Sequence, residues 1–222
     1  MYNGQADQDK FVLLMLHHKR NGFFVEIGSH HPQEINNSYI LEKNFNWKGI
    51  MIEQRDTWLD QYRYIRPNSI PIIKDATTIN YIDLFTTFHV PKNIDYLQID
   101  LEPSNGSTLT TLKKLNEEVM ETYKCAIITF DHDIYRTIFQ NTRLESRRIF
   151  QERGYFLLFP DVNNKGENSF EDWYVHPDLV DPQWFQRVFE KNQIYYKEGV
   201  LQEEYFDDSP VERSINFQDI EY

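Results

Sequence analysis

The sequence predicts a doubly wound α/β domain: a mostly parallel, Rossmann-like sheet with helices on both faces. Three observations lead there. Short apolar runs recur as FFVEI, GIMIE, SIPII, IDYLQIDL, CAIITF and YFLLF, without the polar alternation of a half-exposed sheet, as strands covered on both faces require. A stretch of helical character follows each run, which is the connection that parallel strands need. The first run carries an acid, Glu26, two residues before Gly28, so a tight turn falls at the carboxyl end of a strand, where open α/β sheets bind their ligands.

The elements follow in order. The opening DQDKFVLLMLHHKRNG has helical apolar spacing at Phe11, Leu14 and Met15, basic residues late and Gly22 as a stop, so residues 1–21 are expected to form a helical cap over one edge of the sheet. Helices are expected over residues 37–45, 56–65, 81–89, 107–123 and 137–153, with DPQWFQRVFEKN as a last short one. No linker splits the chain, which predicts a single domain over residues 1–200. The remaining 201–222 are acidic and poor in periodicity, as in a loosely held tail.

Composition narrows the function. With 40% hydrophobic and 15% aromatic residues, 222 residues can fill one sizeable core. A formal net charge of -12 argues against nucleic-acid partners, because phosphate backbones are repelled. Arg143, Arg147, Arg148 and Arg153 share one predicted helix and read as a solvated face rather than a binding patch. Cys125, in an apolar run, reads as a small buried thiol, and no cysteine and histidine spacing suggests zinc. The absence of a long apolar run or a signal-peptide core predicts a soluble cytoplasmic protein.

The turn EIGSHHP carries Gly28 but puts Ser29, His30, His31 and Pro32 where a dinucleotide fold repeats glycine. An acid before that turn also repels phosphate. S-adenosylmethionine suits it better, since it carries a sulfonium, an ammonium and a ribose diol but no phosphate. Glu53, ending the second strand, is placed to accept from the ribose hydroxyls, and Asp75, ending the third, from the adenine amino group. Each acid alone is more often a helix cap or turn residue. Three in register point to a ligand.

Four motifs in order, GFFVEIGSHHPQEINNSYILEKNFNWKGIMIE, DYLQIDLEPSNGSTLTTLKKL, AIITFDHDIY and FEDWYVHP, resemble the FkbM-type methyltransferases of the class I S-adenosylmethionine-dependent enzymes, over roughly residues 4–177. The resemblance implies a seven-stranded sheet with one antiparallel strand near its edge, and methyl transfer to oxygen, often on a sugar or polyketide. It implies cofactor contacts from Glu26, Gly28, Asn37, Ser38, Glu53, Asp75, Ala76 and Asp100, with Gln5 and Asp9 closing over the cofactor. Many relatives have DVEG after the fourth strand where this chain has DLEPSNG, and an acidic residue where His30 and His31 stand.

An alcohol becomes a competent nucleophile when a base takes its proton during attack. His132, oriented by Asp131 or Asp133 and joined by Asp100, is the expected base; the competing expectation is that DHD caps a helix. A second mechanism gives Asp100, Glu102, Asp131 and Asp133 to a Mg²⁺ that acidifies the hydroxyl. Glu102, Asp133, Glu171, Asp172, Trp173 and His176 are the expected acceptor contacts, with Trp173 and Tyr174 stacking on a sugar face from a lid; the alternative buries Trp173 in a late strand. The expected partner is a small molecule or glycan, and the sequence leaves room for a homodimer. The rival functions are an RNA cap or nucleoside methyltransferase and a noncatalytic binding module of the same fold.

Overall fold

A computed structural model describes residues 2–134, 140–163, 168–191, 196–197 and 200–201. In chain order the main elements are α1 (Gln8–Met15), β1 (Phe23–Ile27), α2 (Tyr39–Phe45), β2 (Lys48–Glu53), α3 (Leu59–Ile65), β3 (Ser69–Ile73), α4 (Tyr81–Thr87) and β4 (Asn93–Ile99). They continue as α5 (Ser107–Glu118), β5 (Lys124–Asp131), α6 (Gln140–Glu152), β6 (Phe156–Val162), β7 (Glu171–Val175) and α7 (Pro182–Lys191). The seven strands form one sheet in the order β3-β2-β1-β4-β5-β7-β6. Strand β7 runs antiparallel to both of its neighbours, and the other pairings are parallel. This is the Rossmann-like class I methyltransferase fold.

Apolar runs without alternation do mark strands buried on both faces. In β1, Val25 and Ile27 point into the layer filled by α4, α5 and α6, joined there by Ile50, Ile52, Leu97 and Ile99. Phe24 points the opposite way, into a second layer with Met51, Tyr96 and Trp173 beneath α1. Side chains alternate along a strand. Glu26 therefore faces the same side as Phe24, under α2, and is fully buried.

Two expectations change. Helix α1 buries Phe11, Val12, Leu13 and Met15 against Phe159 and Trp173, so it lies on a face of the sheet rather than over an edge. FEDWYVHP is not a lid: Glu171–Val175 is β7, inserted between β5 and β6, with all five residues buried. Residues 137–139 of the sixth expected helix and nearly all of the expected tail lie outside the described residues.

Helix α6 also differs from a solvated face. Arg143 and Arg147 are 2% and 1% exposed, because Asp161 and Asp172 sit on the strands beneath them. Arg147 grips Asp172 with Nε and Nη2, both at 2.8 Å, and donates from Nη2 to Asp161 at 3.0 Å. Arg148 is the exposed member and pairs with Glu145 and Glu152 along the helix. Cys125 is buried as expected, and burial pushes its thiol up to about 12.

Candidate active site

A cleft of about 1050 Å³ opens at the carboxyl ends of β1, β2, β3, β4 and β5. This is where strand order reverses between β1 and β4, the place open α/β sheets reserve for ligands. Its lining includes eight carboxylates against two cations, Arg55 and Lys74.

The floor starts at Gly28. Its φ of +89° is left-handed, and a Cβ built there would stand 1.7 Å from the carbonyl oxygen of Asp100. Only glycine lets β1 and β4 approach this closely. Three other residues of the flanking loops hold positive φ, namely His30 at 46°, Ile35 at 55° and Asp133 at 48°. Such backbone concentrates at ligand sites.

Glu53 is half-buried, and two backbone N–H groups fix it: His30 donates to Oε2 at 3.0 Å and Arg55 to Oε1 at 2.9 Å. Each oxygen keeps a lone pair for a ligand. Asp75 spends Oδ1 on Thr77, from N at 2.9 Å and from Oγ1 at 2.7 Å. Both acids line the cleft, as do Ala76, Asn37 and Gln5. The amide oxygen of Asn37 is buried without a hydrogen-bond partner among the described residues. Trp58 and His31 meet edge to face, centroids 4.6 Å apart, and add a ring wall that the sequence reading did not single out.

Several expected contacts are engaged by neighbouring protein groups. Glu26 touches the cleft wall, but Asn36 Nδ2 donates to its Oε2 at 2.9 Å and Ser38 N to its Oε1 at 3.2 Å, so it builds the turn. Ser38 is buried behind that turn, accepting from Arg66 at 2.7 Å. Asp9, fully buried, accepts from Asn3 N at 2.6 Å and Lys10 N at 2.9 Å, anchoring the segment that carries Gln5 to the rim.

His132 is also corrected. It is fully buried, its Nδ1 accepts from Ile134 N at 3.1 Å, and its Nε2 stands 3.3 Å from Asp172 Oδ1 and 3.6 Å from Asp161 Oδ1. An imidazole with one nitrogen taken and the other turned to buried carboxylates cannot receive a proton from the cleft. Burial alone would raise the Asp172 carboxyl, but Arg147 and His132 hold it well below the usual carboxylate range. Trp173 stacks on Phe11 in the core, centroids 4.7 Å apart. His176 follows β7, whose antiparallel course carries it to the far end of the sheet, where its Nδ1 accepts from Asp178 N at 3.2 Å. Glu171, Asp172, Trp173 and His176 are therefore not acceptor contacts.

Asp100, Glu102, Asp131 and Asp133 do line one part of the cleft. Asp100 and Asp131 end the neighbouring strands β4 and β5, and their side chains interact, so their titrations are linked. The surrounding protein raises the Asp100 carboxyl, with the Asp133 charge adding to it. Burial raises Asp131 further, reinforced by the Asp100 and Asp133 charges. His132, Asp161 and Asp172 could bring ligand atoms within 4.8 Å of one another, but Arg143 and Arg147 already neutralise those carboxylates, which leaves a cation no charge to balance.

Behind the pair, Glu171 is buried and accepts from Gln8 Nε2 at 2.6 Å; burial pushes its carboxyl up to about 8, and the Asp100 charge adds to this. Because this folded value exceeds the ordinary 4.5, stability falls as pH rises between about 4.5 and about 8, where the unfolded chain releases a proton that the folded one keeps. Glu171→Gln keeps an acceptor for Gln8 and removes the titration. Thermal melts of both proteins from acid to alkaline pH should converge at the acid end, with the variant gaining on the parent as pH rises. Parallel curves would contradict the assignment.

No protein-family model and no curated protein matches the chain. Among solved structures it is similar to a candidate rRNA-methylase from Clostridium thermocellum, with 12% identity, 79% of this chain and 98% of that chain covered, and a TM-score of 0.52. It is also similar to a candidate methyltransferase from Streptococcus mutans in complex with SAH, with 13% identity, coverage of 75% and 94%, and a TM-score of 0.49. A TehB-like SAM-dependent methyltransferase from Corynebacterium glutamicum gives 10% identity, coverage of 76% and 86%, and a TM-score of 0.47. These are likenesses of fold.

Proposed function

We propose that the protein is an S-adenosylmethionine-dependent methyltransferase acting on a hydroxyl of a sugar, glycan or other small molecule. The observation that carries the reading is Glu53, pinned by two backbone N–H groups at the end of β2 with lone pairs turned to a cleft rich in carboxylates. That geometry suits a ribose diol, and the single-glycine turn with its surplus of acids disfavours a pyrophosphate. Asp75 and Ala76 suit the adenine, while Asn37 and Gln5 suit the methionine end. The oxygen preference rests on the FkbM-type resemblance.

Held by Glu53, Asp75, Ala76, Asn37 and Gln5, the cofactor would supply a methyl group to the acceptor oxygen, with its sulfur departing as a neutral thioether. The hydroxyl proton must leave, and the Asp100–Asp131 pair is the cleft-facing group that can take it, in the role expected of His132. The cleft also holds the acceptor near the methyl and limits water.

Asp131→Asn is expected to lower methyl transfer about a hundredfold while SAH affinity stays near the parent value. The assay follows labelled methyl into whichever member of a panel of sugars, polyketide alcohols and capped RNA the parent methylates. Equal turnover in variant and parent would remove the pair from the mechanism. Capped RNA as the sole acceptor would replace the substrate assignment.

A further inference from the structure

At the opposite end of the sheet a second groove of about 480 Å³ lies between α2 and α3. Its walls come from segments leading into β1, β2 and β3, away from the cleft where those strands end. Tyr39, Glu42, Lys43 and Asn46, spaced to share one face of α2, form one side. Arg20, whose guanidinium lies 5.9 Å from the Phe45 ring centroid, and Arg66, 1% exposed, also line it.

The charge is the reverse of the main cleft. Glu42 is the one acid lining the groove, and Arg66 Nε already pairs with it at 2.8 Å. Arg20 and Lys43, both exposed, have no carboxylate partner among the described residues, in a chain whose net charge is -12. Two such cations at one concave site concentrate anions locally despite the net charge. Tyr39 and Tyr64, the latter 88% exposed, add ring faces, and Asn21, Asn46 and Asn68 also line the groove, with Asn46 Nδ2 donating to Asn21 Oδ1 at 2.6 Å.

We infer that this groove binds a phosphorylated small molecule, with Arg20 and Lys43 on the phosphate and the tyrosine rings and amides on an attached sugar. Charge-assisted contacts give the affinity, while rings and amides select the sugar. Arg66 ties the groove to the turn of the main cleft. Its Nη1 donates to Pro32 O at 3.1 Å and Asn36 Oδ1 at 2.8 Å, and its Nη2 donates to Ser38 Oγ at 2.7 Å. Asn36 and Ser38 are the residues that hold Glu26. Ser38 also precedes Tyr39, which lines the groove, so the groove and that turn share one end of α2.

The test titrates ribose 5-phosphate into the full chain and follows amide NMR signals, with Arg20→Ala/Lys43→Ala as the variant. Both changed side chains are exposed, so the fold is expected to survive. Saturable shifts at Asn46 and Asn68, spreading to Ser38 and weakened about tenfold or more in the double variant, are the expected result. The absence of saturable shifts would overturn the site. So would shifts confined to the main cleft, at residues such as Gly28 and Asn105, or groove shifts equally strong in the double variant.

Discussion

Gly28→Ala is expected to cost about 4 kcal/mol or more, a large part of the roughly 5–15 kcal/mol that keeps a domain folded. Two costs add. The φ of +89° is strained for any residue with a Cβ, and that Cβ would be placed 1.7 Å from the Asp100 carbonyl oxygen. Backbone, not a flexible side chain, is the obstacle, and β1 and β4 are adjacent central strands in register from Phe24↔Tyr96 to Ile27↔Ile99. Relief would therefore require breaking that pairing. Soluble yield and thermal unfolding by circular dichroism read the effect, and a variant melting within a few degrees of the parent would show that the turn can open without loss.

Arg147→Met is expected to cost about 3–5 kcal/mol, because it leaves Asp172 buried at 0% exposure without its guanidinium. The side-chain volume is kept, so a cavity contributes little. Asp172 also fixes the sign with pH. Its folded value is depressed, so the stability it contributes is present above its ordinary 3.8 and lost as pH falls through the folded value. In the variant, protonating the orphaned carboxyl relieves the penalty. The gap between parent and variant should therefore be widest near neutrality and narrow in acid. Arg148→Ala on the exposed side of the same helix should change little. A gap constant with pH would show that Asp172 is not the source of the loss.

These two residues mark how much was legible in the sequence. Strand positions, the parallel order and the single-glycine turn follow from local pattern, because an apolar run between helical stretches has few other solutions. The place of Glu53, Asp75 and Asp100 on the cleft followed too, since the carboxyl ends of parallel strands open onto it by topology alone. The orientation of EDWYV was not local. Nothing in its residues says that β7 enters the sheet antiparallel between β5 and β6, and that reversal buries Trp173 and sends His176 to the far end. Burial of Arg143 and Arg147 depends on Asp161 and Asp172, which lie on the two strands that follow α6, and nothing local says that these strands pass beneath it. Four arginines on one helix look alike until their partners are placed. Glu26 could have been read better: period-two alternation puts it on the face of Phe24, beneath the helix that follows.

The account rests on the cleft at the strand ends receiving a cationic, phosphate-free nucleoside through Glu53. Titration calorimetry with S-adenosylmethionine tests this most directly, run on the parent and on Glu53→Ala. One molecule bound per chain is expected, with the variant weaker by about 1 to 3 kcal/mol for loss of a charged acceptor to the ribose. No binding to the parent, or equal affinity in the two proteins, would contradict it.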